Sequence, residues 1–248
     1  LGSASVTPLQ LSGSYAVIAN GGFKVTPHFI AKITDQSGQV VYTPSYGIAC
    51  ETCLNPPPQG NLSAQAQPEN VAQQALTPQN AYLMTQAMQG VIQSGTGRAA
   101  KVLKRNDLAG KTGTTNNQVD AWFSGFDYHL LATVWVGFDN VKGKLKSLHE
   151  YGSKAALPIW IQFMKGALKN QPNSVLPVPP GVVTVRIDPV SGLLANSQQQ
   201  NAIFEVFRQQ YEPTRTAPVQ ASSNATIYGD HSGQQVTSST QNDSDPLF

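Results

Sequence analysis

Leu108-Ala109-Gly110-Lys111-Thr112-Gly113-Thr114-Thr115 is a glycine- and threonine-rich stretch, followed closely by Ala121-Trp122-Phe123-Ser124-Gly125-Phe126 and by the apolar run Leu130 to Phe138. Thr, Trp, Phe and Val fit a pleated, half-buried surface, so each stretch reads as a strand. Asp127-Tyr128-His129 is a hairpin-length link, far too short for the crossover that parallel strands require. The three strands therefore form an antiparallel meander. Ala155 to Leu168 reads as a helix with Trp160, Met164, Ala167 and Leu168 on one face, suited to covering that sheet. The expectation is an α/β fold of the α+β type, an antiparallel sheet flanked by helices.

Two further helices announce themselves upstream. Thr7-Pro8-Leu9-Gln10 offers a Thr cap, Pro in the first helical position and Gln three residues after the cap; Leu11, Tyr15 and Ile18 follow on one face, and Asn20-Gly21-Gly22 ends the run. Thr77-Pro78 repeats the entry signal, with Leu83, Met84, Ala87, Met88, Val91 and Ile92 as the apolar stripe and Gly95 and Gly97 as the stop. Phe23 to Tyr42 reads as strand, turn at Asp35 to Gly38, and strand. Residues 43–76, with Pro56-Pro57-Pro58 and many Gln, read as a polar surface insertion with little core of its own. Val182 to Ile187 is a further strand, closed by a turn at Asp188 to Gly192. From Pro213 onward Ser, Thr, Gln, Asn and Asp dominate, and such a tail buries too little apolar area to offset its ordering entropy. Domain limits are thus expected at residues 1–195 for the main unit and 196–248 for an extension, largely disordered from about Pro213.

Composition narrows the function classes. Only 12% of the 248 residues are charged, about half the usual share. A formal net charge of +2 gives no electrostatic footprint for nucleic acid. No run of eighteen apolar residues is present, so no membrane span is read in these residues. The first residue is Leu1 rather than Met, directly before a helical segment, which reads as a piece of a longer chain. The two cysteines, Cys50 and Cys53, are spaced C-x-x-C in a Pro- and Gln-rich stretch. A local disulfide in an oxidising compartment and a pair of free thiols are both open readings. A zinc site would need two more ligands, and His28, His129, His149 and His231 show no partner spacing, so no metal and no cofactor is expected. Arg98, Lys101, Lys104 and Arg105 fall near helical spacing and read as a solvated face. Trp122, Trp135 and Trp160 read as core.

Lys111-Thr112-Gly113 carries the chemistry. As a bare tripeptide it arises by chance in about one chain in twenty; inside an apolar meander it gains weight. The run from Asp107 to Asn116 resembles the third motif of the serine penicillin-recognising enzymes. The flanks Ser5-Val6-Thr7-Pro8-Leu9-Gln10, Tyr15 to Gly22, Thr77 to Tyr82, Gly95-Thr96-Gly97, Asp120 to Gly125 and Thr133 to Asp139 resemble, more narrowly, the transpeptidase domain of class A penicillin-binding proteins, the bifunctional peptidoglycan synthases. The resemblance covers about residues 1–195 apart from the insertion.

It implies the penicillin-binding protein transpeptidase or β-lactamase-like fold, incomplete here, and a D,D-transpeptidase acting through an acyl-serine on D-Ala-D-Ala stem peptides, with β-lactams acylating the same serine. Lys111 and Thr114 would be catalytic. Lys111 would add positive charge and help proton shuttling, and the Thr114 N–H would serve as an oxyanion donor. Thr112, Gly113, Thr114 and Thr115 would bind substrate: a bare Gly113 lets a peptide lie along the strand edge, and the threonine hydroxyls meet its carboxylate. The β-propensity of Thr and the habit of lysine to blunt sheet edges are the bland readings of the same residues. The family's Ser-x-x-Lys is absent, and the only Ser-x-Asn, Ser222-Ser223-Asn224, falls in the polar tail. In the family both precede the segment at which this chain begins. The resemblance thus implies a nucleophile on an upstream part of the same protein, an inert fragment in isolation, apolar sheet surface left uncovered, and a periplasmic location with the parent anchored in the inner membrane. A non-catalytic binding module and a serine β-lactamase are the alternatives.

Overall fold

Capping chemistry fixes where the first helices begin. At α1 (Pro8–Ala19) the Thr7 hydroxyl accepts from the Gln10 N–H at 3.2 Å, and the Gln10 side-chain oxygen accepts from the Thr7 N–H at 2.9 Å. This reciprocal box satisfies two otherwise orphan donors. Gly21 and Gly22 then turn the chain at φ 83° and 109°; a Cβ on Gly22 would lie 2.2 Å from the Leu76 carbonyl oxygen, so only glycine fits. The computed structural model describes residues 5–50, 70–138, 146–174 and 176–219.

The stretch read as strand, turn and strand is more broken than expected. Short strand β1 (Phe23–Lys24) leaves residues 25–32 irregular, and Phe29 is 93% exposed. Pro27 interrupts this segment, and a residue without an N–H cannot donate to a ladder. The hairpin itself forms, with β2 (Ile33–Thr34) paired to β3 (Val40–Tyr42) about a turn in which the Asp35 carboxylate accepts from Ser37 and Gln39. Within 43–76, Ile48 bridges Val71, and β4 (Gln73–Gln74) pairs with β1. Phe23, Cys50 and Ala72 build a small core there. Cys50 is 1% exposed and disulfide-bonded; the expected partner Cys53, and Pro56-Pro57-Pro58, lie outside the described residues.

Helix α2 (Pro78–Gln93) buries Ala81, Tyr82, Thr85, Met88 and Ile92. Of the expected stripe Met88 and Ile92 are buried and Leu83 and Val91 half-buried, but Met84 is 49% exposed and Ala87 also faces out. Ala81 and Thr85 are small enough to let the helix approach the sheet, and the buried Thr85 hydroxyl is satisfied by donating to the Ala81 carbonyl at 2.9 Å.

The sheet has the order β5 (Ala109–Thr114), β6 (Asp120–Phe126), β7 (Leu131–Gly137), all antiparallel, as the meander predicts. Register puts Gly110, Thr112 and Thr114 on one face with Ala121, Phe123, Gly125, Ala132, Val134 and Val136. The predicted covering helix lies on this face in two pieces, α3 (Gly152–Ala155) and α4 (Leu157–Ala167). The break falls at Ala156 because Pro158 lacks the N–H that would continue the ladder. Trp160 and Met164 are fully buried there with Phe123, Leu108 and Ile92. A Cβ on Gly125 would lie 2.7 Å from the Trp160 ring, whose N–H donates to the Gly125 carbonyl. On the opposite face, α1 and Met88 cover Ala109, Phe126 and Leu131.

Beyond the sheet, β8 (Val182–Ile187) pairs antiparallel with β9 (Ile203–Arg208), a strand with no counterpart in the sequence reading. Leu194 is bracketed by hydrogen bonds to Arg215 and Ala217, so ordered pairing extends past Pro213; the later tail lies outside the described residues.

Candidate active site

The K-T-G strand is an edge. Among the described residues β5 pairs only with β6, so no strand borders its other side along Lys111 to Thr114, while α2 and the turn at Thr96 pack against the strand. Lys111 and Thr114 are exposed, while Thr112, Gly113 and Thr115 are half-buried. Alternation sends Lys111 to the face opposite Thr112 and Thr114. Its Nζ donates to the Thr112 carbonyl at 2.8 Å, which holds the ammonium against the strand.

The Lys111 face is built from Trp122, Ser124, Thr133 and Trp135. The Trp122 and Trp135 rings lie 6.0 Å apart, and the Trp135 N–H donates to Asp120 at 2.9 Å. Trp135 is 36% exposed and Trp122 half-buried, so of the three tryptophans read as core only Trp160 is enclosed. At this end of the sheet no described helix covers the pair, whereas α1 covers the other end.

Gly113 is needed by the protein's own packing. A Cβ there would lie 3.1 Å from that of Trp122, and Gly152 comes so close that its own Cβ would sit 2.5 Å from the Gly113 carbonyl oxygen. The Gly152 N–H donates to the Thr114 hydroxyl oxygen at 3.1 Å, pinning the start of α3 to the strand. Thr115 closes the strand: its hydroxyl donates to the Asp120 carboxylate at 3.0 Å and accepts the Asp120 N–H at 2.8 Å.

At Thr114 the strand end borders a cleft of about 580 Å³ lined by Thr114, Thr115, Asn117, Gln118, Ser147, His149 and Tyr151. Asn117, Gln118 and His149 have φ of 59°, 54° and 55°. Left-handed non-glycine residues cost about 1–3 kcal/mol each and gather at functional sites. Asn117 and His149 are residue types enriched in this conformation, whereas nothing in the sequence marks Gln118 for it.

At the other end of β5, Arg105 departs from the solvated face read for it. Lys104 takes φ 53° and ends the short 3-10 turn, which swings Arg105 inward to 9% exposure. Its guanidinium forks onto Asp107, donates to Asp127 at 3.3 Å and reaches the carbonyls of Gln171 (2.7 Å) and Pro172 (3.0 Å). Asp107 further accepts from Ser174, and Asp127 from the N–H groups of His129 and Leu130. The network joins the entry of β5, the β6–β7 turn and the segment after α4.

A sheet sandwiched by helices with this motif on an open edge defines a class, and the comparisons agree. The family model of the penicillin-binding protein transpeptidase domain matches residues 1–165, and that of the penicillin-binding protein 1A C-terminal domain matches residues 178–221. The chain belongs to the penicillin-binding protein transpeptidase family. It is 39% identical over 239 residues to penicillin-binding protein 1A of Pseudomonas aeruginosa, covering 86% of this chain and 29% of that protein. To penicillin-binding protein 1A of Escherichia coli it is 36% identical over 272 residues, covering 88% and 32%. Its fold matches the crystal structure of penicillin-binding protein 1A from Haemophilus influenzae with a TM-score of 0.75 at 35% identity, over 88% of this chain and 34% of that one. The chain thus spans about a third of the length of these relatives.

Proposed function

We propose that this chain supplies one wall of a D,D-transpeptidase active site in a peptidoglycan synthase, and that a serine on an upstream part of the same polypeptide completes it. The unpaired strand edge at Lys111 to Thr114, exposed at both of those residues, carries this reading. An unpaired strand edge offers its N–H and C=O groups to a peptide in extended form, the geometry in which a D-Ala-D-Ala terminus can be read. The Thr114 N–H donates to the oxyanion of the attacked carbonyl, and the Thr112 and Thr114 hydroxyls hold the terminal carboxylate. Lys111 stands on the face where Trp122 and Trp135 await a cover, so the serine-bearing element packs there and places its nucleophile beside the ammonium. The serine attacks the penultimate D-Ala carbonyl, the terminal D-Ala leaves with a proton, and the amine of a second stem peptide displaces the serine to form the crosslink. A β-lactam, with a similarly placed carboxylate, acylates the same serine.

By the same proposal the whole protein also carries a glycosyltransferase unit and an inner-membrane anchor and acts in the periplasm. No helix among the described residues is long and apolar enough to cross a membrane. The test is covalent labelling with a fluorescent penicillin, read on a denaturing gel. The whole protein labels, and Lys111→Ala slows labelling at least tenfold; residues 1–248 alone do not label. Label on residues 1–248 alone, or full-rate labelling of Lys111→Ala, overturns the assignment.

A further inference from the structure

Gly95-Thr96-Gly97 lies far from the K-T-G motif in sequence but beside it in space. The Thr96 and Thr112 hydroxyl oxygens are 2.7 Å apart. The turn that presents Thr96 is rigid. The Gly95 N–H donates to the Gly90 carbonyl and the Gly97 N–H to that of Val91, while the Gly97 carbonyl accepts from the buried Ala100. A Cβ on Gly95 would fall 2.9 Å from the Val91 backbone, so the chain is drawn tight against the end of α2 on both sides of Thr96.

Counting protons shows what this contact does. Two hydroxyls at 2.7 Å share one proton, which leaves the pair one to give. Thr114, two residues further along the same strand face, accepts from the Gly152 N–H, so its own proton is also free. We propose that Thr96 is a positioning residue for carboxylate recognition. It donates to the Thr112 oxygen and turns the Thr112 proton outward, so that Thr112 and Thr114 offer one O–H to each oxygen of a ligand carboxylate. A chain of hydroxyls polarised in this way also donates more strongly than a lone one. The inference rests on the transpeptidase reading above.

The test uses the whole, serine-bearing protein and compares acylation by a penicillin with acylation by its methyl ester, which lacks the anionic carboxylate. Thr96→Val lowers the acid-to-ester ratio of second-order rate constants about 3- to 10-fold, the span of one lost hydrogen bond; Thr96→Ser restores it. In a Thr112→Val background Thr96→Val changes the ratio no further, because the two act as a unit. The labelled fraction at saturation reports folding separately from the rate. Equal slowing of acid and ester, or a full Thr96 effect without the Thr112 hydroxyl, overturns the proposal. A wild-type protein that neither compound acylates removes the transpeptidase reading itself; an acylated wild type whose ratio ignores Thr96 removes only the role of Thr96.

Discussion

Replacing Arg105 by Gln removes the one cation from a buried cluster that holds two carboxylates. The side chains of Arg105, Asp107 and Asp127 are 8%, 4% and 1% exposed. Breaking a pair enclosed in this way costs about 3–5 kcal/mol, because the stranded carboxylates keep their desolvation penalty. An exposed pair would be worth about 1 kcal/mol at most. The loss here also leaves the Gln171 and Pro172 carbonyls without their donor. With a urea m-value of roughly 2–3 kcal/mol/M for a unit of this size, the unfolding midpoint falls by about 1–2 M. Trp160, fully buried in the main core, is the fluorescence reporter. Arg105→Lys keeps a charge but loses the planar fork, and falls between wild type and Arg105→Gln. A midpoint shift below about 0.3 M for Arg105→Gln would refute the claim that this network ties the entry of β5 to the rest of the fold.

Gly125→Ala places a methyl 2.7 Å from the Trp160 ring and 2.8 Å from Phe123; overpacking lowers stability by about 1–3 kcal/mol, seen as a drop in Tm, and an unchanged Tm contradicts the packing described. The Asp188 carboxyl is held below its ordinary range first by the Ser191 hydroxyl, then by the Ser191 N–H and Gln199. A carboxylate depressed on folding contributes above its unfolded pKa and loses that contribution as pH falls through the folded one, so the 188–192 turn outlasts ordinary Asp protonation as acid is added. An NMR titration of Asp188 with its midpoint at or above the usual Asp value would count against this. Residues 1–248 alone leave the Trp122 and Trp135 face uncovered and self-associate in sedimentation velocity; a single monomeric species at high concentration would contradict that expectation.

The sheet was legible because its residues obey local rules. Thr, Trp, Phe and Val alternate, a three-residue link forces antiparallel pairing, and Thr-Pro opens both α1 and α2. The K-T-G residues could be placed on an edge only by the pairing itself, since propensity does not distinguish edge from centre. The buried face of α2 is only partly legible: hydropathy favours Met84 and Ala87, which face out, whereas close packing on the sheet selects the small Ala81 and Thr85. Arg105 looked like one more cation on a helical face until the left-handed Lys104 turned it inward; one of its partners, Asp127, is twenty-two residues away. Thr96 meets Thr112 across sixteen residues, a contact that no local pattern encodes. Ile203-Phe204-Glu205-Val206-Phe207-Arg208 carries β-propensity that was readable, but only its pairing with β8 sets its limits.

The most direct measurement is a crystal structure of the whole protein acylated by a penicillin. The account predicts the acyl carbonyl oxygen about 2.7–3.1 Å from the Thr114 nitrogen. It places the drug's carboxylate against the Thr112 and Thr114 hydroxyls, and the acylated serine outside residues 1–248 on the Lys111 side of β5. An adduct bound away from this edge, or one whose carbonyl turns from Thr114, would contradict it.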